Sequence, residues 1–147
     1  MTTKTLKPPS STQHLIDAPV PVRLRLSALW VAVMFLYVYV DLFSFYKPGT
    51  IDDILIGRVW EFDISQGWAV GALGLMTVPI LMSFLSLTMP AGLTRRINLV
   101  VASLYVLVSV FNVVGETWSF IWVGAAVEIA LLLMIVRYAW TWPTRAD

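Results

Sequence analysis

Four long apolar runs constrain the fold of this chain more than any other feature. They cover residues 26–46, 67–88, 97–114 and 119–142, and each is close to the ~20 residues with which an α-helix crosses a bilayer. Together they take more than half of the 147 residues and leave no room for a soluble domain. The sequence therefore predicts one all-α domain, an integral membrane four-helix bundle.

The composition excludes several kinds of chemistry. The chain is 59% hydrophobic and 13% charged, against about 45–50% and about 25% in soluble domains. It has no cysteine, and its one histidine, His14, precedes the spans, so thiolate sites and imidazole relays are excluded there. No phosphate-binding loop, zinc spacing or basic patch with interleaved aromatic residues occurs. We expect no cofactor, no metal and no nucleic-acid partner, and an enzyme is the least favoured class.

The basic residues predict how the chain is oriented. Residues 1–22 have the Pro, Ser and Thr content of a flexible tail, 23–142 form the transmembrane domain, and 143–147 are a second short tail. If the N-terminus is cytoplasmic, eight of the ten Lys and Arg residues lie on that side, and only Lys47 and Arg58 lie outside. The positive-inside rule then predicts an integral membrane protein with both termini in the cytoplasm. The tryptophans expected at the inner interface are Trp30, Trp140 and Trp142, and those at the outer interface are Trp60, Trp68, Trp118 and Trp122.

The connections predict how the spans are arranged. The outer loop over residues 47–66 contains a capping-box pattern at Thr50 and Asp53, which predicts a short interfacial helix over residues 51–56. The two connections that follow are short, so spans 2 and 3, and spans 3 and 4, should be antiparallel neighbours.

Small residues and a proline mark spans 2 and 4. Gly67, Gly71 and Gly74 form a strip that lets another helix approach closely, within the chain or in a homo-oligomer. Pro79 lacks an N–H, leaves the carbonyl one turn earlier without its helical partner and should kink span 2, as a packing feature or as a hinge. Gly124 lets a neighbouring helix approach the acid at position 128.

Glu128 is the most costly residue in the four spans. A carboxylate near the centre of a span costs about 2.5–3.5 kcal/mol on insertion scales, so an intramembrane acid indicates a functional site by default. Arg137, the one basic residue of the same span, points to the opposite face of the helix. Burial without a cationic partner favours the neutral acid. That acid either hydrogen-bonds to Tyr105, Asn112 or Tyr37 for structural reasons, or binds a proton or a cation.

Polar side chains of spans 1, 3 and 4 predict a shared site in the outer half of the bundle. In span 3 they recur along one helical face, which must point away from lipid. At the helical rise per residue, Asp41 lies ~7.5 Å and Glu128 ~13 Å from the outer ends of their spans. The span 3 stripe consists of Asn98, Tyr105, Ser109, Asn112 and Glu116. The candidate ligand-binding or proton-binding residues are Glu128, Asp41, Asn112, Glu116, Tyr105, Tyr37 and Ser109.

Several short motifs occur together between residues 26 and 142. They are Leu29-Trp30, Tyr37-Val38-Tyr39-Val40-Asp41-Leu42, Pro48-Gly49, Ile64-Ser65-Gln66-Gly67, Val78-Pro79-Ile80, Asn98, Glu128-Ile129 and Tyr138-Ala139-Trp140-Thr141-Trp142. In this combination the chain resembles a bacterial family of small four-span membrane proteins catalogued as a domain of unknown function. The resemblance implies four membrane helices and no activity. Members often carry an acid before the Val/Ile-Pro pair of span 2, where this chain has Thr77, whereas Asp41 and Glu128 match.

Three classes of function fit these features. The first is a small transporter, or a ligand-binding or proton-binding membrane protein, whose partner besides the bilayer is a small molecule or a cation. The alternative is a non-catalytic interaction or accessory protein whose buried polar residues only determine helix packing. The third, an enzyme acting on a lipid or a quinone, requires a cavity that opens to the bilayer beside Asp41 and Glu128.

Overall fold

The computed structural model describes residues 18–143, and this part of the chain is all-α as predicted. Four of its five helices are long and apolar enough to cross a membrane. Most of the two predicted tails lies outside the described residues, namely positions 1–17, which include His14, and 144–147. The helices are α1 Val22–Ser44, α2 Thr50–Leu55, α3 Gln66–Thr88, α4 Ala91–Asn112 and α5 Ser119–Trp140, and a two-stranded antiparallel hairpin joins β1 Arg58–Val59 to β2 Phe62–Asp63.

Prolines determine where two of the long helices begin. Pro21 precedes α1 and Pro90 precedes α4, so both helices begin earlier than the apolar runs at 26 and 97. A proline has no N–H to donate, and its restricted φ suits the residue before a helix. The first turn of α1 and the second turn of α4 therefore carry arginines that hydropathy alone places outside the spans.

The short helix in the loop is confirmed as α2, one residue earlier than predicted. The capping box is wrong, because Gly49 is the N-cap residue and no side chain caps the helix. Gly49 has φ +87°, a left-handed conformation that glycine adopts without a steric penalty. The hairpin that follows α2 was not predicted.

The long helices pack antiparallel around α1 and α5. The name loop end is used for the end of the molecule at which α1 and α4 finish. The name terminal end is used for the opposite end, at which these two helices begin. α1 packs against α3 and α5, and α5 packs against α4, whereas α3 and α4 touch far less. At the terminal end Arg23 donates to the Leu87 carbonyl at 3.1 Å, and Arg95 donates to the Ala139 carbonyl at 3.2 Å. The prediction for α4 and α5 is confirmed, while α3 and α4 are neighbours over only part of their length.

The apolar core fills the terminal half of the helices. Leu26, Trp30, Leu132 and Ile135 are completely buried there. Trp30, which the sequence placed near the inner interface, is completely buried between the helices, and its indole Nε1 donates to Asn98 Oδ1 at 2.7 Å. Because these large side chains stop short of the loop end, the helices enclose an unfilled space there.

Only one of the predicted glycine contacts occurs within residues 18–143. A Cβ added at Gly71 or Gly74 would meet nothing within 4 Å, so the glycine strip of α3 does not pack against another described helix. A Cβ added at Gly124 would lie 2.7 Å from Val40 Cγ2. Gly124 therefore permits the close approach of α1 to α5 beside Glu128, as predicted.

Candidate functional site: the loop-half cavity

A cavity of about 80 Å³ lies between α1, α3, α4 and α5 in the loop half of the molecule. Its volume has room for a few water molecules or a small ligand. The back of the cavity is formed by buried residues of α5, and the rim by exposed residues of the other helices. We call it the loop-half cavity. Its polar lining residues are Tyr37, Asp41, Tyr105, Asn112 and Glu128.

Glu128 is the central polar residue of the cavity. It is only 6% exposed, and its Oε1 is hydrogen-bonded by the Tyr37 hydroxyl from α1 and the Ser109 hydroxyl from α4. No buried side-chain polar atom between residues 18 and 143 lacks a partner. Since both partners of Glu128 bind Oε1, its second oxygen has accessible surface, and Glu128 lines the cavity. Three of the predicted site residues therefore form one hydrogen-bonded triad.

Ser109 lies between two acceptors and gives the triad two hydrogen arrangements. Its Oγ is 2.7 Å from the Tyr105 carbonyl and also within hydrogen-bonding distance of Glu128 Oε1. A hydroxyl has one proton to donate and can accept as well. If Ser109 donates to the Tyr105 carbonyl, a protonated Glu128 can donate to Ser109; if Glu128 is ionised, Ser109 and Tyr37 can both donate to it. The same heavy-atom positions thus suit both protonation states.

The Tyr105 hydroxyl compensates for a donor that a proline removes from α3. Pro79 has no N–H, so the carbonyl four residues earlier, that of Leu75, lacks its helical donor. The Tyr105 hydroxyl donates to this Leu75 carbonyl and connects α4 to α3 at the base of the cavity. Tyr105 therefore lines the cavity, as predicted for a site residue, but its hydroxyl satisfies the backbone of α3. The sequence predicted that Pro79 leaves a carbonyl without its helical donor. It did not predict that the Tyr105 hydroxyl would be the donor.

Tyr105→Phe should destabilise the folded chain by about 1 kcal/mol, because it leaves the Leu75 carbonyl without a donor at a part-buried position. Adding Pro79→Ala should restore much of that loss, since an alanine at that position supplies the missing helical N–H. Both can be measured as the free energy of unfolding in mixed detergent micelles. Equal losses with proline and with alanine at position 79 would contradict this pairing.

Asp41 and Asn112 lie at the rim of the cavity. Both line it, and both are exposed, Asp41 on α1 and Asn112 as the last residue of α4. The predicted interior position of the span 3 stripe holds for Asn98, Tyr105 and Ser109, which are buried. Asn112 is exposed, because α4 ends there, but it lies on the same side as the rest of the stripe and lines the cavity.

Glu116 is not part of the cavity. It lies in the turn after α4, beyond the helical stripe to which its spacing assigned it, and Gly115 precedes it with φ +83°. Its Oε2 is 3.0 Å from Lys47 Nζ, so the carboxylate pairs with the loop that follows α1. This partly exposed ion pair connects two loop-end segments, and such pairs contribute about 0–1 kcal/mol.

The electrostatics of the cavity favour a positive charge. Two carboxyl groups, those of Asp41 and Glu128, line it, and none of its described lining residues is Lys, Arg or His. Within residues 18–143 no group of three or more His, Asp or Glu side chains is placed to hold a metal ion.

Comparison with known proteins places the chain in a family. The family of unknown function DUF6326 matches residues 21–146, nearly the whole chain. The chain belongs to DUF6326. The resemblance found in the sequence is therefore confirmed. No curated protein and no solved structure matched in the same comparisons.

Thr77 has a local role in this DUF6326 member. Its hydroxyl donates to the Leu73 carbonyl at 2.7 Å within α3, and it does not line the cavity. Asp41 and Glu128, which the resemblance implied, do line it. The acidic character of the cavity therefore comes from α1 and α5.

Proposed function

We propose that this chain is a small multi-pass protein of the bacterial cytoplasmic membrane that binds a proton and a small cationic ligand in the loop-half cavity. Four long apolar helices support the membrane location. Five of the seven Lys and Arg residues between positions 18 and 143 lie at the terminal end, which supports an orientation with both termini in the cytoplasm. In that orientation the cavity lies in the outer half of the membrane.

The observation that carries this proposal is the pair of hydrogen arrangements around Glu128. Tyr37 and Ser109 can stabilise the carboxylate, and Ser109 can instead accept from the neutral acid while it donates to the Tyr105 carbonyl. A carboxyl group that only joins helices has no need for both arrangements. A group that exchanges its proton with a ligand requires both, without a rearrangement of the backbone.

The lining of the cavity supports a cation as the ligand. Glu128 at the back and Asp41 at the rim provide two acidic groups, while Tyr37 provides an aromatic ring. A cation that reaches Glu128 would displace its proton, because both stabilise the same carboxyl group in a poorly hydrated site. A transporter that exchanges protons for cations requires at least that the two compete for one carboxyl group.

The rim indicates where a ligand enters. α3 and α4 touch little, and the exposed cavity-lining residues Leu75 and Asn112 belong to these two helices. Asp41 on α1 also lines the cavity and is exposed. The proposed path therefore runs between α3 and α4, past Asp41, to Glu128.

A second function is favoured by a different observation. Every buried side-chain polar atom among residues 18–143 has a hydrogen-bond partner, and such bonds between membrane helices contribute about 0.6 kcal/mol on average. An accessory protein that binds other membrane components with its outer surface needs no more than this. In that case replacing Glu128 changes stability and nothing else.

Infrared difference spectroscopy of the reconstituted full chain separates the two functions. Adding tetramethylammonium chloride or ammonium chloride at constant pH should remove the carbonyl stretch of a protonated carboxyl group in the wild type. Glu128→Gln should lose this signal, because a side-chain amide cannot release a proton. Its amide can still accept from Tyr37 and donate to Ser109, so the fold is expected to persist.

Asp52→Asn is the matched control, since Asp52 is an exposed acid of α2 that lies outside the cavity. It should respond to the cations as the wild type does. An unchanged spectrum of the wild type with both cations, or the same response in Glu128→Gln, would remove the proposed function and favour the accessory role.

A further inference from the structure

A second concave site lies at the opposite end of the molecule. A groove of about 390 Å³ separates the start of α1 from the end of α5. Its volume lies within the range of about 300–1,000 Å³ that is usual for ligand sites. Its lining includes two arginines, Arg25 of α1 and Arg137 of α5, with Tyr138 and Thr141 beside them. We call it the arginine groove.

Tyr138 helps to position one of the two guanidinium groups. Arg25 lies over the Tyr138 ring, with its Cζ 5.3 Å from the ring centroid. A guanidinium stacked in this way keeps its N–H groups available at its edge, where they can bind an anion in a bidentate manner. Arg137 is exposed in the last turn of α5, on the other side of the groove.

Two other arginines at the terminal end are hydrogen-bonded to backbone carbonyls. Arg23 donates to the Leu87 carbonyl, and Arg95 donates to the carbonyls of Ala139 and Trp140. These two cap the ends of α3 and α5. Arg25 and Arg137 make no such bond within residues 18–143, and they share one groove.

No acidic side chain of the described residues neutralises this groove. All the Asp and Glu residues between positions 18 and 143 lie in the loop half of the helices or in the segments at the loop end. A negative charge from outside the described fold is therefore the natural complement of the two arginines. These acids are Asp41, Asp52, Asp53, Glu61, Asp63, Glu116 and Glu128.

The two arginines lie close to the ends of their helices. Arg25 is three residues from the start of α1 and Arg137 is three residues from the end of α5, or ~4.5 Å along each helix. Apolar residues, including Val20 and Val22, also line the groove. A ligand that suits this surface has an anionic group beside the guanidinium groups and hydrocarbon beside the valines.

We propose that the arginine groove binds the phosphate group of an anionic phospholipid. Basic pockets between membrane helices are typical sites for such headgroups. The site is independent of the loop-half cavity, since no residue lines both. In the proposed orientation it faces the cytoplasmic leaflet.

Native mass spectrometry of the full chain in a neutral detergent tests this site. Phosphatidylglycerol should bind more tightly than phosphatidylcholine with the same acyl chains. Arg137→Gln should weaken binding of phosphatidylglycerol about fivefold, the effect expected for one basic residue near an anionic lipid surface. Arg137→Lys keeps the charge and should weaken it less.

Arg96→Gln is the matched control. Arg96 is an exposed arginine of α4 at the same end of the molecule, outside the groove. It should leave the affinity unchanged. Equal weakening by Arg96→Gln would show general charge attraction and overturn the site. Inorganic phosphate that competes at the same concentration as the lipid would show a free-anion site, which also overturns the proposal.

Discussion

Asn98→Ala is expected to destabilise the folded chain by about 1–3 kcal/mol, because it leaves a buried donor without an acceptor. Asn98 is completely buried and connects three helices. Its Oδ1 accepts from Trp30 Nε1 at 2.7 Å, and its Nδ2 donates to the Thr94 carbonyl at 2.8 Å and to Ser86 at 3.2 Å. The Trp30 indole can only donate, so it has no other means of satisfying its N–H.

An asparagine-to-alanine substitution elsewhere on α4 provides the control. Asn112→Ala removes an exposed amide at the loop end of α4 and should change the free energy of unfolding by less than about 0.5 kcal/mol. Unfolding in mixed detergent micelles measures both. Asn98→Leu combined with Trp30→Phe should cost less than the sum of its single variants, because both partners of one hydrogen bond are removed together. Equal effects of the two asparagine substitutions would contradict this account of the core.

Gly124→Ala is the second large effect that we expect, with a loss of about 1–3 kcal/mol from overpacking. The added Cβ would lie 2.7 Å from Val40 Cγ2. Val40 has little freedom to move away, since β-branched side chains in helices keep one rotamer. α1 and α5 must therefore separate, which also draws Tyr37 away from Glu128. The free energy of unfolding and the response of Glu128 to cations should both decrease.

Two further variants separate the clash from the loss of glycine itself. Gly71→Ala places its Cβ in open space on α3, so it should be neutral or stabilise the helix by up to about 1 kcal/mol. Gly124→Ala combined with Val40→Ala should recover stability, because the atom that clashes is gone. No recovery in that double variant would show that the clash with Val40 does not determine the separation of α1 and α5.

The two halves of the molecule differ in the use they make of polar groups. In the terminal half Asn98, Trp30 and Ser86 form a closed network among large apolar side chains. In the loop half Tyr37, Ser109 and Glu128 adjoin a cavity that the core does not fill. The closed network holds the helices together, and the open one leaves a carboxyl oxygen available to a ligand.

Local features of the sequence were sufficient to predict the helices and the composition of the site. Apolar runs of bilayer length identified four helices, because the hydrogen bonds of a membrane span must be satisfied within the helix itself. The period of the helix placed Asn98, Tyr105 and Ser109 on one face, and the cost of an intramembrane acid singled out Glu128. Each of these conclusions depends on residues that are close together in the chain.

The tertiary structure decided which of these residues meet. Tyr105 bonds to Leu75 rather than to Glu128, Glu116 pairs with Lys47 outside the cavity, and Trp30 lies in the core. These outcomes depend on which helices are neighbours and on the distances between them. A periodic pattern within one helix contains no information about either. The sequence alone therefore determined that polar groups must face other helices, since lipid offers them no partners. Only the packing of the helices decided which groups hold Glu128 beside a cavity. α1 lies close enough to α5 to bring Tyr37 to it, because position 124 has no side chain, and α4 packs against α5 and brings Ser109 to it.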